Sequence, residues 1–274
     1  MSLYTIFGGR GFIGSEIVQQ LKAKNHEVFI PQRDDSSIFT KELGIVIYCA
    51  GSGDCQNAPF SVLEANLSLL ANILQKSKFE KLLYISSTRV YMNQSESNEN
   101  SNLTVSYDDN RRLFNLTKLT AEELCKKSGR NVYIVRPSNV YGVALDSPLF
   151  LPAITRNGLN HGKVDMFVTP EYAKDYVSVT DVAEITCKIA EKPSPSKVIY
   201  NIASGENTSA LEIAKLLELE TGCSVVWHEN ECTDEFSEID ITAIKNEFSF
   251  EPCNVLTDLT QMITSFKKVL ATQG

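Results

Sequence analysis

The stretch Ile6-Phe7-Gly8-Gly9-Arg10-Gly11-Phe12-Ile13-Gly14-Ser15 constrains the fold more than any other part of the chain. The apolar run Leu3 to Phe7 reads as a buried strand, and Ile13, Ile17, Val18 and Leu21 follow at helical spacing. Glycines caught between a strand and a helix each have a physical task. Gly8 permits the tight turn, Gly11 lets the backbone approach a pyrophosphate, and Gly14 lets the helix pack close to the strand. The free amides at the helix start, those of Phe12 and Ile13 among them, sit at the positive end of its dipole and hold phosphate. Outside such a strand–turn–helix frame a glycine triplet says little, because triplets are common. The spacing here is Gly-x-x-Gly-x-x-Gly, not the Gly-x-Gly-x-x-Gly of the standard dinucleotide fingerprint.

Bulk properties remove several other frames. The 274 residues allow one large domain, or one with a small lobe. A formal charge of −8 argues against nucleic acid as a main partner, since phosphate backbones demand clustered Lys and Arg. No apolar run approaches the roughly 20 residues that span a bilayer, and the N-terminus enters a strand with no signal-like segment. The seven cysteines are odd in number and scattered, which fits reduced thiols in a cytoplasm. The three histidines lie far apart, so no local metal motif is present and no metal is expected.

The phrase Gly-Gly-Arg-Gly-Phe-Ile-Gly resembles the extended branch of the short-chain dehydrogenase/reductase superfamily, the sugar-nucleotide epimerases, dehydratases and reductases. Four later phrases resemble the same branch in order: Ser86-Ser87-Thr88-Arg89-Val90-Tyr91, Lys118-Leu119-Thr120-Ala121-Glu122, Arg136-Pro137-Ser138-Asn139-Val140-Tyr141-Gly142, and Lys174-Asp175-Tyr176-Val177 running into Asp181-Val182-Ala183. Strands alternating with helices predict an α/β fold, a Rossmann-type doubly wound parallel sheet. The resemblance adds a smaller C-terminal α+β substrate lobe. It implies a dinucleotide-binding domain over residues 1–145, also receiving parts of 174–204, and a mainly substrate-binding lobe over 146–274. In that lobe Pro148, Pro152 and Gly158 punctuate short segments, 224–228 reads as a strand, and 239–248 and 257–270 read as closing helices.

The resemblance implies roles residue by residue. Gly8, Gly11, Phe12, Ile13 and Gly14 meet the coenzyme, as do Ala50 and Gly51, small residues closing the third strand. At the end of the second strand, where an acid serves the ribose of NAD, stands Gln32, followed by Arg33. That pairing resembles a 2′-phosphate site, hence NADP, with NAD as the alternative if Asp34 or Asp35 serves the ribose. In helix 60–75, Leu63, Leu67, Leu70 and Leu74 form one apolar side. Asn66 within it either supports the backbone of the site or lies on an exposed face. Ser87 takes the place of the catalytic Ser/Thr that holds the sugar C4 oxygen. Lys118 bonds the nicotinamide ribose, Pro137 lies beside the nicotinamide, and Asn139 bonds the substrate pyrophosphate.

Two departures narrow the chemistry. Family dehydratases carry Asp-Glu after the catalytic Ser/Thr, whereas Thr88 and Arg89 stand here among the expected substrate-binding positions. Neither does carboxylate acid–base work, so dehydration is disfavoured. The tyrosine one turn before the lysine is replaced by Phe114, which has no proton to give. Tyr107, Tyr91, Tyr141 or a water on Lys118 would have to relay the proton; alternatively the reaction avoids C4 redox. The expectation is an NAD(P)-dependent nucleotide-sugar epimerase or keto-reductase of glycan or deoxysugar synthesis, cytoplasmic and homodimeric. Its competitor is a catalytically silent NAD(P)-binding regulatory subunit or sensor.

Overall fold

The computed structural model describes residues 1–144, 147, 149–228 and 235–273. Its first half winds strands and helices alternately: β1 (Leu3–Phe7), α1 (Phe12–Ala23), β2 (Glu27–Phe29), β3 (Ile45–Tyr48), α2 (Pro59–Leu63), α3 (Leu69–Lys76), β4 (Lys81–Ile85), α4 (Arg112–Lys127) and β5 (Val132–Pro137). The chain then adds β6 (Asn139–Tyr141), α5 (Phe150–His161), β7 (Lys163–Met166), β8 (Ala173–Ser178), α6 (Val179–Glu191) and β9 (Ile199–Ile202). It closes with β10 (Asn207–Ser209), α7 (Ala210–Thr221), β11 (Ser224–Trp227), α8 (Thr242–Phe248) and α9 (Val255–Gln273).

Six strands form one all-parallel sheet in the order β2-β1-β3-β4-β5-β9. Both faces are covered, so neighbouring residues in each strand serve opposite cores. Ile6, Ile47, Leu83 and Val135 pack under α1, α6 and α8, while Phe7, Tyr48, Tyr84 and Ile134 pack under α3 and α4. This is the doubly wound Rossmann-type sheet. The order reverses between β1 and β3, and the crevice at the carboxyl ends beside such a reversal is where ligands bind in this fold.

A third core gathers Tyr141, Ile154, Val164, Tyr176, Leu217 and Phe266 beneath α5, α7 and α9. Two small sheets border it, β10-β8-β6 and β11-β7. Asp175, buried in β8, joins this part to the main sheet by accepting from Ser138 Oγ after β5 and from Ser204 and Gly205 after β9.

Several local expectations need correcting. Pro152 and Gly158 do not break the chain; both lie within α5. Pro152 falls in the first turn, where its missing N–H leaves no helical bond unmade, and Gly158 admits Cys223 and Val164 to 3.4 Å of where a Cβ would stand. Pro148 and the expected boundary at 145/146 lie outside the described residues. Residues Ile239–Ile241 are not helical, so α8 starts only at Thr242. The 60–75 helix is continuous but contains a π turn over Glu64–Ser68. A π turn takes more residues per revolution and rotates what precedes it. Leu70 and Leu74 are buried accordingly, whereas Leu63 is 41 % exposed and leaves the apolar side.

The Gly14 contact yields a test. A Cβ there would stand 2.2 Å from the Gly8 carbonyl oxygen, backbone against backbone. Gly14→Ala therefore forces α1 off β1, with an expected loss of about 1–3 kcal/mol as for overpacked cores. Urea unfolding measures the loss, and an unchanged midpoint would contradict the contact.

Candidate active site

The cleft begins at the turn after β1. Gly8 has φ of 76°, and a Cβ on it would come within 2.7 Å of the Ala50 amide nitrogen. Its carbonyl accepts from the Gly11 amide at 2.9 Å, which closes the turn. Gly11 precedes α1 with no side-chain cap, and the first turn holds no acid. The first amides of α1 have no intrahelical acceptor and are left for a ligand. A glycine cradle that any Cβ would fill, ending on uncapped amides, fits a dinucleotide pyrophosphate.

The next wall is held by the π turn. Asn66 is fully buried there, which decides between its two readings: Oδ1 accepts from the Ser52 amide, and Nδ2 donates to the Ser52 carbonyl and Thr117 Oγ1. It thus fixes Gly51-Ser52-Gly53, the segment leaving β3, against α4. One residue beyond Thr117, Lys118 is buried and its Nζ donates to the Ile85 carbonyl at 2.8 Å. That ammonium lies 4.9 Å from the Tyr84 ring centroid and 5.7 Å from that of Phe114. Burial pulls its pKa down to about 8, against the opposing pull of Glu122.

The third wall leaves β4. Ser87 Oγ accepts from the Arg89 amide at 3.1 Å, capping a short helical turn. Its own O–H remains to donate. Thr88 is buried beside it, and Arg89 Nη2 bonds Asp109 Oδ1 at 2.7 Å. Facing them, the Arg111 guanidinium lies 4.7 Å from the Phe114 ring centroid.

These walls border one open cleft of about 470 Å³. It collects Gly8, Gly11, Phe12, Ile13, Gly14, Gly51, Ser87, Thr88, Arg89, Phe114, Lys118, Pro137 and Asn139 from the sequence-predicted positions. Arg33 and Ala50 do not line it: Arg33 is exposed beyond β2, and Ala50 backs Gly8. Asn139 Nδ2 donates to the Asp175 carbonyl, which fixes its amide at the lobe side. An adjoining hollow is lined by Tyr141, Phe150, Tyr172 and Tyr176.

None of the three tyrosines considered as proton relays lines the cleft. Tyr91 is buried between Arg136 and Asn201, Tyr107 is 82 % exposed, and Tyr141 donates to Asp258. Trp227 is half-buried on the lobe core, while His228 pairs with Asp165 on the surface. Sequence reasoning missed Arg111 and Phe236, which reach the cleft from a helix start and a late loop. Arg111 had a signal: it stands one helical turn before Phe114, hence on the same face.

Residues 4–203 match the model of the NAD dependent epimerase/dehydratase family, and the chain belongs to that family. It is 22% identical to a dTDP-4-dehydro-6-deoxy-D-allose reductase of Streptomyces bikiniensis, covering 77% of this chain and 79% of the relative. The UDP-glucose 4-epimerase of Thermotoga maritima with UDP-glucose superposes at a TM-score of 0.82, with 21% identity and coverage of 97% and 99%. The UDP-glucuronic acid 4-epimerase of Bacillus cereus, in complex with UDP-glucuronic acid and NAD, gives 0.81 at 19% identity over 97% and 99%. Among the described residues no helix is long and apolar enough to cross a membrane.

Lys118 gives a pH test. Its pKa of about 8 lies below the ordinary 10.5, so below pH 8 the native state bears the full burden of a buried ammonium. Between pH 8 and 10.5 the unfolded chain still holds a proton the native state has released, and stability from this group rises with pH. Lys118→Met removes the burden but leaves the Ile85 carbonyl unpaired. The expected net gain at pH 7 is about 1–3 kcal/mol, shrinking toward pH 10, as read by urea unfolding at both values.

Proposed function

We propose that the chain is an NAD(P)-dependent nucleotide-sugar epimerase or keto-reductase in which Phe114 stands for the usual tyrosine. The observation that carries this reading is the convergence of the glycine turn, Ser87, Phe114 and Lys118 on one cleft at the carboxyl edge of the sheet. The division of labour follows the sheet, with residues 1–145 and returning parts of 174–204 serving the dinucleotide and 146–274 mainly the sugar nucleotide. A bound nicotinamide supplies the hydride donor or acceptor. Around it Gly8, Gly11, Phe12, Ile13 and Gly14 would bind the pyrophosphate, with Ala50 behind Gly8, while Gly51 and Pro137 would flank the ring system. Lys118 bonds the ribose. Ser87 donates its remaining O–H to the sugar C4 oxygen, with Thr88 and Arg89 beside the sugar and Asn139 toward its diphosphate.

NADP is the coenzyme this reading favours. Gln32 and Arg33 are exposed beyond β2, and Asp35 is committed to the Ser37 amide, so it is engaged elsewhere. Arg33→Gln is expected to weaken NADP by roughly tenfold, about 1.4 kcal/mol, relative to NAD in fluorescence titration. Tighter binding of NAD by the unaltered protein would reverse the assignment.

The second reading, a silent NAD(P)-binding subunit or sensor, is carried by Phe114 itself. Hydride exchange between NAD(P)H and 4-keto nucleotide sugars separates the two. Turnover by the unaltered chain, changed less than about tenfold (1.4 kcal/mol) by Phe114→Tyr, supports the enzyme. A silent chain awakened by Phe114→Tyr supports the sensor.

Phe60, Leu63 and Leu116 are 83 %, 41 % and 43 % exposed on α2 and α4, which pack together. This apolar face suits a homodimer joined through a four-helix bundle. Sedimentation at micromolar concentration is expected to give a dimer that Leu116→Arg converts to a monomer.

A further inference from the structure

The cleft wall around Phe114 holds more positive charge than the protein neutralises. Asp109 is the carboxylate at hand, and its donors are already three. Oδ1 accepts from Arg89 Nη2 and from the Arg111 amide, and Oδ2 from Asn115 Nδ2. The Arg111 guanidinium has no ion pair among the described residues. It stacks on the Phe114 ring at 4.7 Å, with Nη2 3.0 Å from where a Cβ on Gly53 would stand. Nε of Arg89 and Nε of Arg111 are both buried without a hydrogen-bond partner. Buried guanidinium donors are expensive to leave unmade, and guanidinium stays charged even where burial works against it. Burial first, and then the nearby Arg89, lower the Arg111 pKa, with Asp109 pulling the other way.

We infer that Arg111, backed by Arg89, seats a carboxylate on the reacting end of the substrate, so that the substrate class is a nucleotide sugar bearing an acid, such as a uronate. The inference rests on the nucleotide-sugar reading above and adds the charge of the sugar to it. Three features favour a sugar carboxylate over the other anions at hand. The diphosphates have their own seats, at the α1 amides and toward Asn139. Arg111 lies instead on the ring of Phe114, the residue standing where the family places its proton-transferring tyrosine. Two guanidinium groups against one carboxylate, with the Lys118 ammonium also by the Phe114 ring, leave positive charge for an anion to meet. The planar guanidinium fork matches a carboxylate two bonds at a time. Glycine at 53 leaves the fork room to lie flat against the β3 exit.

Calorimetric titration of the coenzyme-loaded protein with matched pairs tests this: glucose against glucuronate, each on uridine and on thymidine diphosphate. The readout is the ratio of the neutral sugar's Kd to that of the uronate. In the unaltered chain this ratio is expected at about ten or more. Arg111→Met brings it to about one, and Arg111→Lys, which keeps charge but not the fork, leaves it between. A variant that merely distorts the cleft weakens both sugars alike and leaves the ratio unchanged. A ratio near one in the unaltered chain overturns the inference, as does a high ratio that survives Arg111→Met, while the nucleotide-sugar reading stands. Binding of coenzyme with neither sugar nucleotide on either base overturns that reading and this inference together.

Discussion

Backbone-to-backbone contact at the reversal of strand order is the constraint on which the rest depends. Gly8 lies against Ala50 and Gly14 against Gly8, each closer than any side chain would allow. Three segments from β1, α1 and the β3 exit therefore share one point. This contact brings the uncapped amides of α1 to the carboxyl edge of the sheet, the one place where a parallel sheet leaves a crevice. The cleft is open because side chains are missing there, and a ligand takes the room they would have filled.

Around that opening the protein places charged and polar groups at depths where they are costly. Lys118 and Glu122 lie one turn apart on α4 and face different tasks. Lys118 is aimed at the Ile85 carbonyl and the cleft. Glu122 takes both Nε and Nη2 of Arg136 and a hydroxyl from Ser86. Arg136 in turn donates to Tyr91, which donates to Asn201 of β9. The network joins the segment after β4 to α4, β5 and β9 with its partners met, as buried charges require. It holds Tyr91 away from the cleft, and of its members only Ser86 lines the cleft. Arg89 and Arg111 contrast with it, since each retains an unpartnered buried Nε.

Much of this was legible in the chain. Runs such as Leu3–Phe7 and Ile45–Tyr48 are apolar on both faces, which only a doubly covered parallel strand tolerates. The glycine turn, Ser87 and Asn139 stand next to strand ends that periodicity locates, and Lys118 lies within the amphipathic helix α4. The π turn at Glu64–Ser68 was not legible, because adding a residue to one helical revolution leaves composition untouched while rotating Leu63 outward. Pro152 misled because a proline opening a helix and one ending a segment look alike in sequence. Phe236 was missed because a late segment, far from the other lining residues in sequence, brings it to the cleft, and Arg111 because it sits at the junction of a polar loop and α4.

The chain by itself determined the family, the sheet and a side chain without a hydroxyl at position 114. Those are matters of local order, where residue type and spacing carry the physics. Only the tertiary structure decided that Tyr91, Tyr107 and Tyr141 stand away from the cleft, that Asn66 braces it, and that two arginines share one aspartate beside Phe114. Burial and charge balance at a point belong to whatever segments meet there, and those segments lie far apart in the sequence.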